Sequence, residues 1–290
     1  MIYAIIGMIL TSLGSVISKY ISVNFDIYKS LFYQYLFISF YAFAFLLLSG
    51  TPFLNFDLKI SGLFILIGFF GYSGIWALYK ALKHLNNAIV MVIAFTYVFL
   101  SYFLNIFLIG DIEKFSNLKL VLSIVYFLLI SLFLFERNEK KKIKINKYAV
   151  YAFITSVSWT IYYGINNFII KNQIATPVQM IFYSEFFIFI YSIIFFSIFL
   201  FNNKINLKNE LKLNKSQVIS YLSVALFLFT GGLLFFIGYK YVSGNIVNFI
   251  GLFSVITTPI LTFIFLKEKL NSKQIATIFL AFIVLVLFIL

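Results

Sequence analysis

The sequence predicts an all-α integral membrane protein of ten transmembrane helices, built as two inverted five-helix repeats. Three observations predict it. First, 63% of the 290 residues are hydrophobic and 11% are charged, and the mean hydropathy is +1.04. A soluble domain carries roughly 25% charged residues. Second, apolar runs recur from end to end, each about 20 residues long and able to cross a hydrocarbon core of about 30 Å. They are continuous and do not alternate at period two, which selects helices over barrel strands. Third, the layout of Tyr239 to Leu290 recurs at a shift of 157 residues. Lys240 falls on Lys83, Val255 on Val98 and Glu268 on Asp111, so a lysine, an apolar stretch and an acidic turn return in register.

Taken in order, the spans are 2–23, 30–49, 60–79, 87–109, 117–135, 148–170, 177–201, 217–239, 245–266 and 272–290. The densest charge run, Glu136 to Lys142, divides them five and five. The expected units are residues 1–136, a basic connection at 137–147, and residues 148–290. An odd number of helices per repeat forces the halves into opposite orientations, the plan of many secondary transporters. The start, Met1-Ile2-Tyr3, has no basic leader and no small-residue cleavage site after it, so the first span is expected to be retained. Of the 22 lysines and arginines, 17 lie in or beside the odd-numbered connections. The positive-inside rule then puts those connections in the cytoplasm and both termini outside, in a multi-pass protein of the inner (plasma) membrane.

Composition also excludes functions. The net charge of +13 lies between spans, which argues against nucleic acid as a partner. With no cysteine, one histidine and one carboxylate deep in a span, there is little material for a membrane-embedded enzyme, a metal site or a cofactor. The 40 Phe and 20 Tyr fit a coding bias better than an aromatic ligand, because Ile, Lys and Asn are over-used too.

A helix that lines a water-filled path shows small or polar residues at helical spacing. The first span has Thr11, Ser15, Ser18 and Ser22, and the sixth has Thr155, Trp159, Tyr162 and Asn166, with Tyr163 and Asn167 beside them. The ninth has Gly244, Asn248, Gly251, Val255, Thr258 and Thr262 down one side. Moved back by 157, that stripe becomes Asn87, Met91, Ala94, Val98, Ser101 and Asn105 of the fourth span. Glycines mark the third span (Gly68, Gly71, Gly74) and the eighth (Gly231, Gly232, Gly238). Small residues also serve plain helix packing, but paired placement in both halves favours a shared polar centre. The fifth and tenth spans are almost wholly apolar, which suits a lipid-facing or subunit-facing edge in a monomer or homodimer.

Glu185 is the one carboxylate deep in a span. Its helix starts at Thr176-Pro177, an N-cap with proline at the first helical position. Eight residues at 1.5 Å each put Glu185 roughly 12 Å into the helix. Ile181, Phe182, Ile188 and Phe189 are its helical neighbours, so the charged form is costly there. Three roles are open: proton coupling, partner of a substrate amine, or a hydrogen-bonded structural carboxyl. Gln34 is its repeat partner. His84, Lys19 and Lys171 lie at helix ends, where an interfacial role or snorkelling is expected.

These residues resemble a known family. Ala81-Leu82-Lys83-His84-Leu85-Asn86-Asn87-Ala88, opening a helix that ends near Gly110-Asp111, is similar to the first repeat of the EamA type of the drug/metabolite transporter superfamily. Leu266-Lys267-Glu268-Lys269-Leu270 resembles that family's Leu-Gly-Glu-Arg/Lys-Leu turn, and Ser158-Trp159 leading to Lys171 its sixth helix. Lys267 stands where the family has glycine, Leu13 where tryptophan often precedes the glycine of the first helix, and Gln34 where many members have arginine. The resemblance implies alternating-access transport of a small metabolite, often an amino acid and commonly outward, with both termini cytoplasmic. Some members of the superfamily carry lipids or lipid-linked carriers, which gives a flippase as the alternative. The expected substrate-binding set is Thr11, Ser15, Asn105, Trp159, Tyr163, Asn166, Asn248 and Thr258, with Glu185 for a proton or a substrate amine. Expected partners are a small-molecule substrate, membrane lipid and a proton.

Overall fold

Helix ends in this chain are set by short polar side chains. Asp26 and Asp57 each accept the N–H three residues on (Lys29 at 3.0 Å, Ile60 at 2.7 Å), and Asn146 accepts from Tyr148 at 2.9 Å. Thr176 and Gln179 form a reciprocal capping box. Two boxes that the sequence reading missed repeat it, Asn214 with Gln217 and Asn271 with Gln274, with bonds of 2.8–3.0 Å.

The computed structural model describes residues 2–104, 116–137, 143–205, 207–241 and 250–289. Its elements are α1 (Ile2–Asn24), α2 (Ile27–Leu48), α3 (Leu58–Leu82), α4 (Asn87–Ala94), α5 (Tyr97–Leu104), α6 (Asn117–Leu134), β1 (Phe135–Arg137), β2 (Ile143–Ile145), α7 (Lys147–Lys171), α8 (Pro177–Asn202), α9 (Leu207–Glu210), α10 (Lys215–Tyr241), α11 (Ser254–Leu266) and α12 (Ser272–Ile289). The charged connection between the halves is not plain loop: β1 and β2 pair antiparallel, Glu136 opposite Lys144.

Two expected spans are broken. The fourth is split at Phe95-Thr96, and a helical turn at 250–252 meets α11 at Phe253. Thr96 and Phe253 are 157 residues apart, and the bonds around them match. Thr96 N donates to Ile93 O and Phe253 N to Ile250 O, both at 3.1 Å. Phe99 N donates to Thr96 O at 3.1 Å and Ile256 N to Phe253 O at 3.0 Å. These are tight three-residue bonds, which interrupt the four-residue pattern of an α-helix. Both halves therefore carry the same break at the same repeat position.

Eight helices among the described residues are long and apolar enough to cross a membrane, α4 and α5 together forming one of them. At 25 residues α7 is long enough, but it carries Thr155, Ser156, Ser158, Thr160, Asn166 and Asn167 and falls outside that set.

The main packing joins the halves: α1 lies on α10, α3 on α7 and α8, and α2 on α8. The α1–α10 pair is the repeat image of α7–α3. Gly231 of α10 falls on Gly74 of α3, and each glycine meets a helix of the opposite half. A Cβ at Gly231 would lie 2.6 Å from Thr11 Cγ2, and one at Gly74 would lie 2.8 Å from Trp159 Cδ1. On the edge, α6 packs against α12 and exposes Leu118, Val121, Leu128 and Leu132.

Lys267, which stands where the family has glycine, has φ +55° and caps α11 in the left-handed region. A Cβ costs about 1–2 kcal/mol in that conformation. Lys267→Gly is accordingly expected to raise stability by about 1 kcal/mol, read as a higher melting temperature in detergent. An unchanged or lower midpoint would count against this account of the turn.

Candidate functional site

Two polar clusters join the halves, one at an end of the bundle and one in its middle. The end cluster is built on Glu268, just past α11. Its Oε1 lies 3.1 Å from Lys19 Nζ on α1, and its Oε2 accepts the backbone N–H of Asn87 at 2.9 Å. A carboxylate suits the first turn of α4, where N–H groups lack partners inside the helix. Lys19 also donates to the carbonyls of Leu82 and Leu85. It is 8% exposed and points inward, so it does not snorkel as expected. Ser15 donates to Asn87 Oδ1 at 3.2 Å, and Asn87 Nδ2 donates to Thr262 Oγ1 at 3.2 Å.

At the same end Lys29 Nζ lies 3.6 Å from Glu210 Oε2, and Tyr33 donates to the Leu211 carbonyl at 2.8 Å. Both ion pairs link the first half to the second, and both sit at the lysine-rich end. His84 stacks on Tyr148 there, with ring centroids 3.9 Å apart. Desolvation, then Lys83, Lys147, Lys19 and Lys80, push its pKa below the ordinary histidine value.

The central cluster is built on α2, α3, α7 and α8. Glu185 is half-buried, and the Tyr35, Tyr162 and Tyr163 phenols are near enough to interact with its charge. Tyr162 in turn lies beside Asn166 and Ser184, and Tyr35 beside Tyr79. Tyr79 donates to Oε1 of Gln34, the repeat partner of Glu185. Aromatic contacts extend the ring: Tyr163 to Tyr97 at 5.2 Å, and Tyr97 to Trp159 at 6.1 Å. Several buried polar atoms have no hydrogen-bond partner, among them Gln34 Nε2, Ser156 Oγ and Thr258 Oγ1. Such atoms are normally paired. Among the described residues no cation pairs with Glu185, and no group of three or more His, Cys, Asp or Glu could hold a metal ion.

The expected site residues therefore separate. Trp159, Tyr163, Asn166 and Glu185 come together. Ser15 belongs to the end cluster, and Thr258, whose carbonyl accepts from Thr262, lies beside it on α11. Thr11 donates to the Gly7 and Met8 carbonyls of its own helix, both at 3.0 Å. Asn105 and Asn248 lie outside the described residues. Tyr35, Tyr79, Lys29 and Glu210 were not foreseen. In a chain with 20 tyrosines, no single one stands out in sequence.

A third feature is an apolar pocket open to the surface between α3, α5 and α7, lined by Leu63, Leu104, Ile161, Gly164, Ile165 and Phe168.

The family model for the EamA-like transporter family matches residues 1–143 and again residues 146–290. No curated protein matches the chain. A solved structure described as "Crystal structure of protein" is similar, with a TM-score of 0.64 at 14% identity, covering 98% of this chain and 96% of that one. That likeness speaks to the fold alone. Two family matches in tandem agree with a twofold repeat of the chain. The chain is a multi-pass membrane protein that belongs to the EamA-like transporter family.

Proposed function

We propose that the chain is a secondary transporter that carries a small metabolite outward across the inner (plasma) membrane by alternating access. The substrate is an amino acid or a related neutral, zwitterionic or cationic compound, and no enzymatic step is involved. Residues 1–136 and 148–290, joined by 137–147, are the units that rock. Glu185 carries the reading. It is an ionisable group at mid-span, with the Tyr35, Tyr162 and Tyr163 phenols near enough to interact with its charge. Ionisable groups at that depth mark substrate or proton paths. The closed lysine-rich end supports the same reading, since opening that face requires the Lys19–Glu268 and Lys29–Glu210 pairs to part.

The test is flux of radiolabelled amino acids and amines in proteoliposomes, with and without an imposed pH gradient. Wild type is expected to follow the gradient, and Glu185→Gln to lose that dependence. Flux indifferent to both would make the protein a facilitator with a structural Glu185. A flippase for a lipid or lipid-linked carrier is the second reading, favoured by the apolar pocket between α3, α5 and α7. Absence of flux for every soluble compound, with transfer of a labelled lipid, would select it.

A further inference from the structure

We infer that the lysine-rich end of the α3–α7 pair is a binding site for the phosphate headgroup of an anionic phospholipid, held by Lys80, Lys83 and Lys147. The site does not depend on what the chain carries.

The first argument is charge without a partner. At this end Lys19 has Glu268 and Lys29 has Glu210. Among the described residues none of Lys80, Lys83 and Lys147 pairs with a carboxylate. Two of them lie against aromatic rings instead. Lys80 Nζ is 5.7 Å from the centre of the Trp76 ring and 5.8 Å from that of Tyr28. Lys147 Nζ is 4.9 Å from the centre of the Tyr148 ring. A ring face steadies an ammonium group and leaves N–H donors free for an oxygen anion.

The second argument is place. Tyr148, at the start of α7, stacks on His84, just past the end of α3, with ring centroids 3.9 Å apart. That contact brings Lys147 to the end of α3 that carries Lys80 and Lys83, so the cations come from both halves. Further in, Trp76 sets its ring edge-on to Tyr151 at 5.6 Å. Both helices have 25 residues. At 1.5 Å per residue each runs about 37 Å, longer than a hydrocarbon core of about 30 Å. The last turn of α3 and the first of α7 therefore stand among the headgroups, the level that Trp and Tyr rings favour. Basic pockets between spans take anionic headgroups there.

The third argument is what lies beneath. Lys83, His84 and Lys147 are exposed. So are Ile154 and Val157, which follow Lys147 on α7 by two and three turns. A lipid seated by its phosphate lays its chains along them, whereas a soluble anion leaves them unused. Nor does the repeat demand this basic set. Gly74 recurs as Gly231, but the positions 157 residues after Lys80, Lys83 and His84 hold Ile237, Lys240 and Tyr241.

The test titrates purified full-length protein in detergent with dioleoylphosphatidylglycerol, with dioleoylphosphatidylcholine (the same chains, no net charge) and with inorganic phosphate. Bound molecules are counted by native mass spectrometry. The glycerol lipid is expected to bind about tenfold more tightly than the choline lipid and to stay bound in millimolar phosphate. Lys80→Gln and Lys147→Gln should each weaken it about fivefold, the worth of one lysine near an anionic surface. Lys273→Gln is the control, an exposed lysine in the first turn of α12 at the same end, and should leave the affinity unchanged. Equal affinity for the two lipids would overturn the site. An equal loss at Lys273 would reduce it to a diffuse field and overturn it too. Displacement of the glycerol lipid by phosphate would assign the lysines to a soluble anion and overturn the lipid.

Discussion

Glu268→Ala is expected to destabilise the protein by about 3 kcal/mol, the size of a broken buried ion pair, and to open the lysine-rich end. Three contacts are lost together. Lys19, with its side chain 10% exposed, keeps its charge without a carboxylate. The Asn87 N–H at the start of α4 loses its acceptor. The link from α1 and α4 to the turn after α11 goes with them. Removing the stranded charge as well should recover most of the loss, because a well-packed apolar pair replaces a buried ion pair at little cost. The order of melting midpoints in detergent should be wild type, then the Lys19→Met/Glu268→Leu double variant, then Glu268→Ala. The chain has no cysteine, so a single Ser15→Cys reports on access without background. Its labelling by an aqueous maleimide should speed up when Glu268→Ala is added. If the double variant melts with the single one, or labelling does not change, Glu268 is not what holds that end shut.

The parts of this structure that were legible in sequence are those set by local chemistry or by repetition. Apolar runs located the spans, and Thr176-Pro177 located the start of α8. The 157-residue shift was visible in Lys83/Lys240 and in the acidic turns, and the matched bonds at Thr96 and Phe253 give it a structural counterpart. The break itself was not legible. Val92 to Leu100 is interrupted only by Thr96 and has no glycine or proline, and a three-residue hydrogen bond leaves no mark in composition. The partner of Lys19 was also hidden, because ion pairs between halves join residues far apart in the chain. The recurring acidic turn was the available clue, and it was read as a repeat marker only. Glu185 stood out because a charge at that depth is rare, and Trp159, Tyr163 and Asn166 followed from helical spacing on a neighbour. Tyr35 and Tyr79 come from two other helices and required the packing of α2 and α3 to be known. Thr11 shows the limit of a polar stripe: it sits on the expected face, yet its hydroxyl is satisfied by its own helix and its methyl group lies over Gly231.

Gly68→Ala should cost about 3 kcal/mol, the upper end for overpacking, while Gly62→Ala in the same helix should be neutral or stabilising by up to about 1 kcal/mol from helix propensity. The difference lies wholly in what a methyl group meets. At Gly68 a Cβ would stand 2.9 Å from the carbonyl carbon, the carbonyl oxygen and the Cβ of Phe187. Two of those atoms are backbone, and no rotamer change can move them. At Gly62 nothing lies within 4 Å. The clash at Gly68 can be relieved only by separating α3 from α8, and Phe187 is two residues from Glu185. Separation would shift the α8 wall of the tyrosine cluster relative to α2 and α7. Gly68→Ala is thus expected to lose both stability and flux, and Gly62→Ala to lose neither. Melting midpoints and proteoliposome flux for the two variants decide it. If Gly68→Ala melts with wild type, α3 and α8 are free to part and the central cluster is not held by their contact. If it melts early but transports normally, the position of Glu185 against its tyrosines is not what transport depends on.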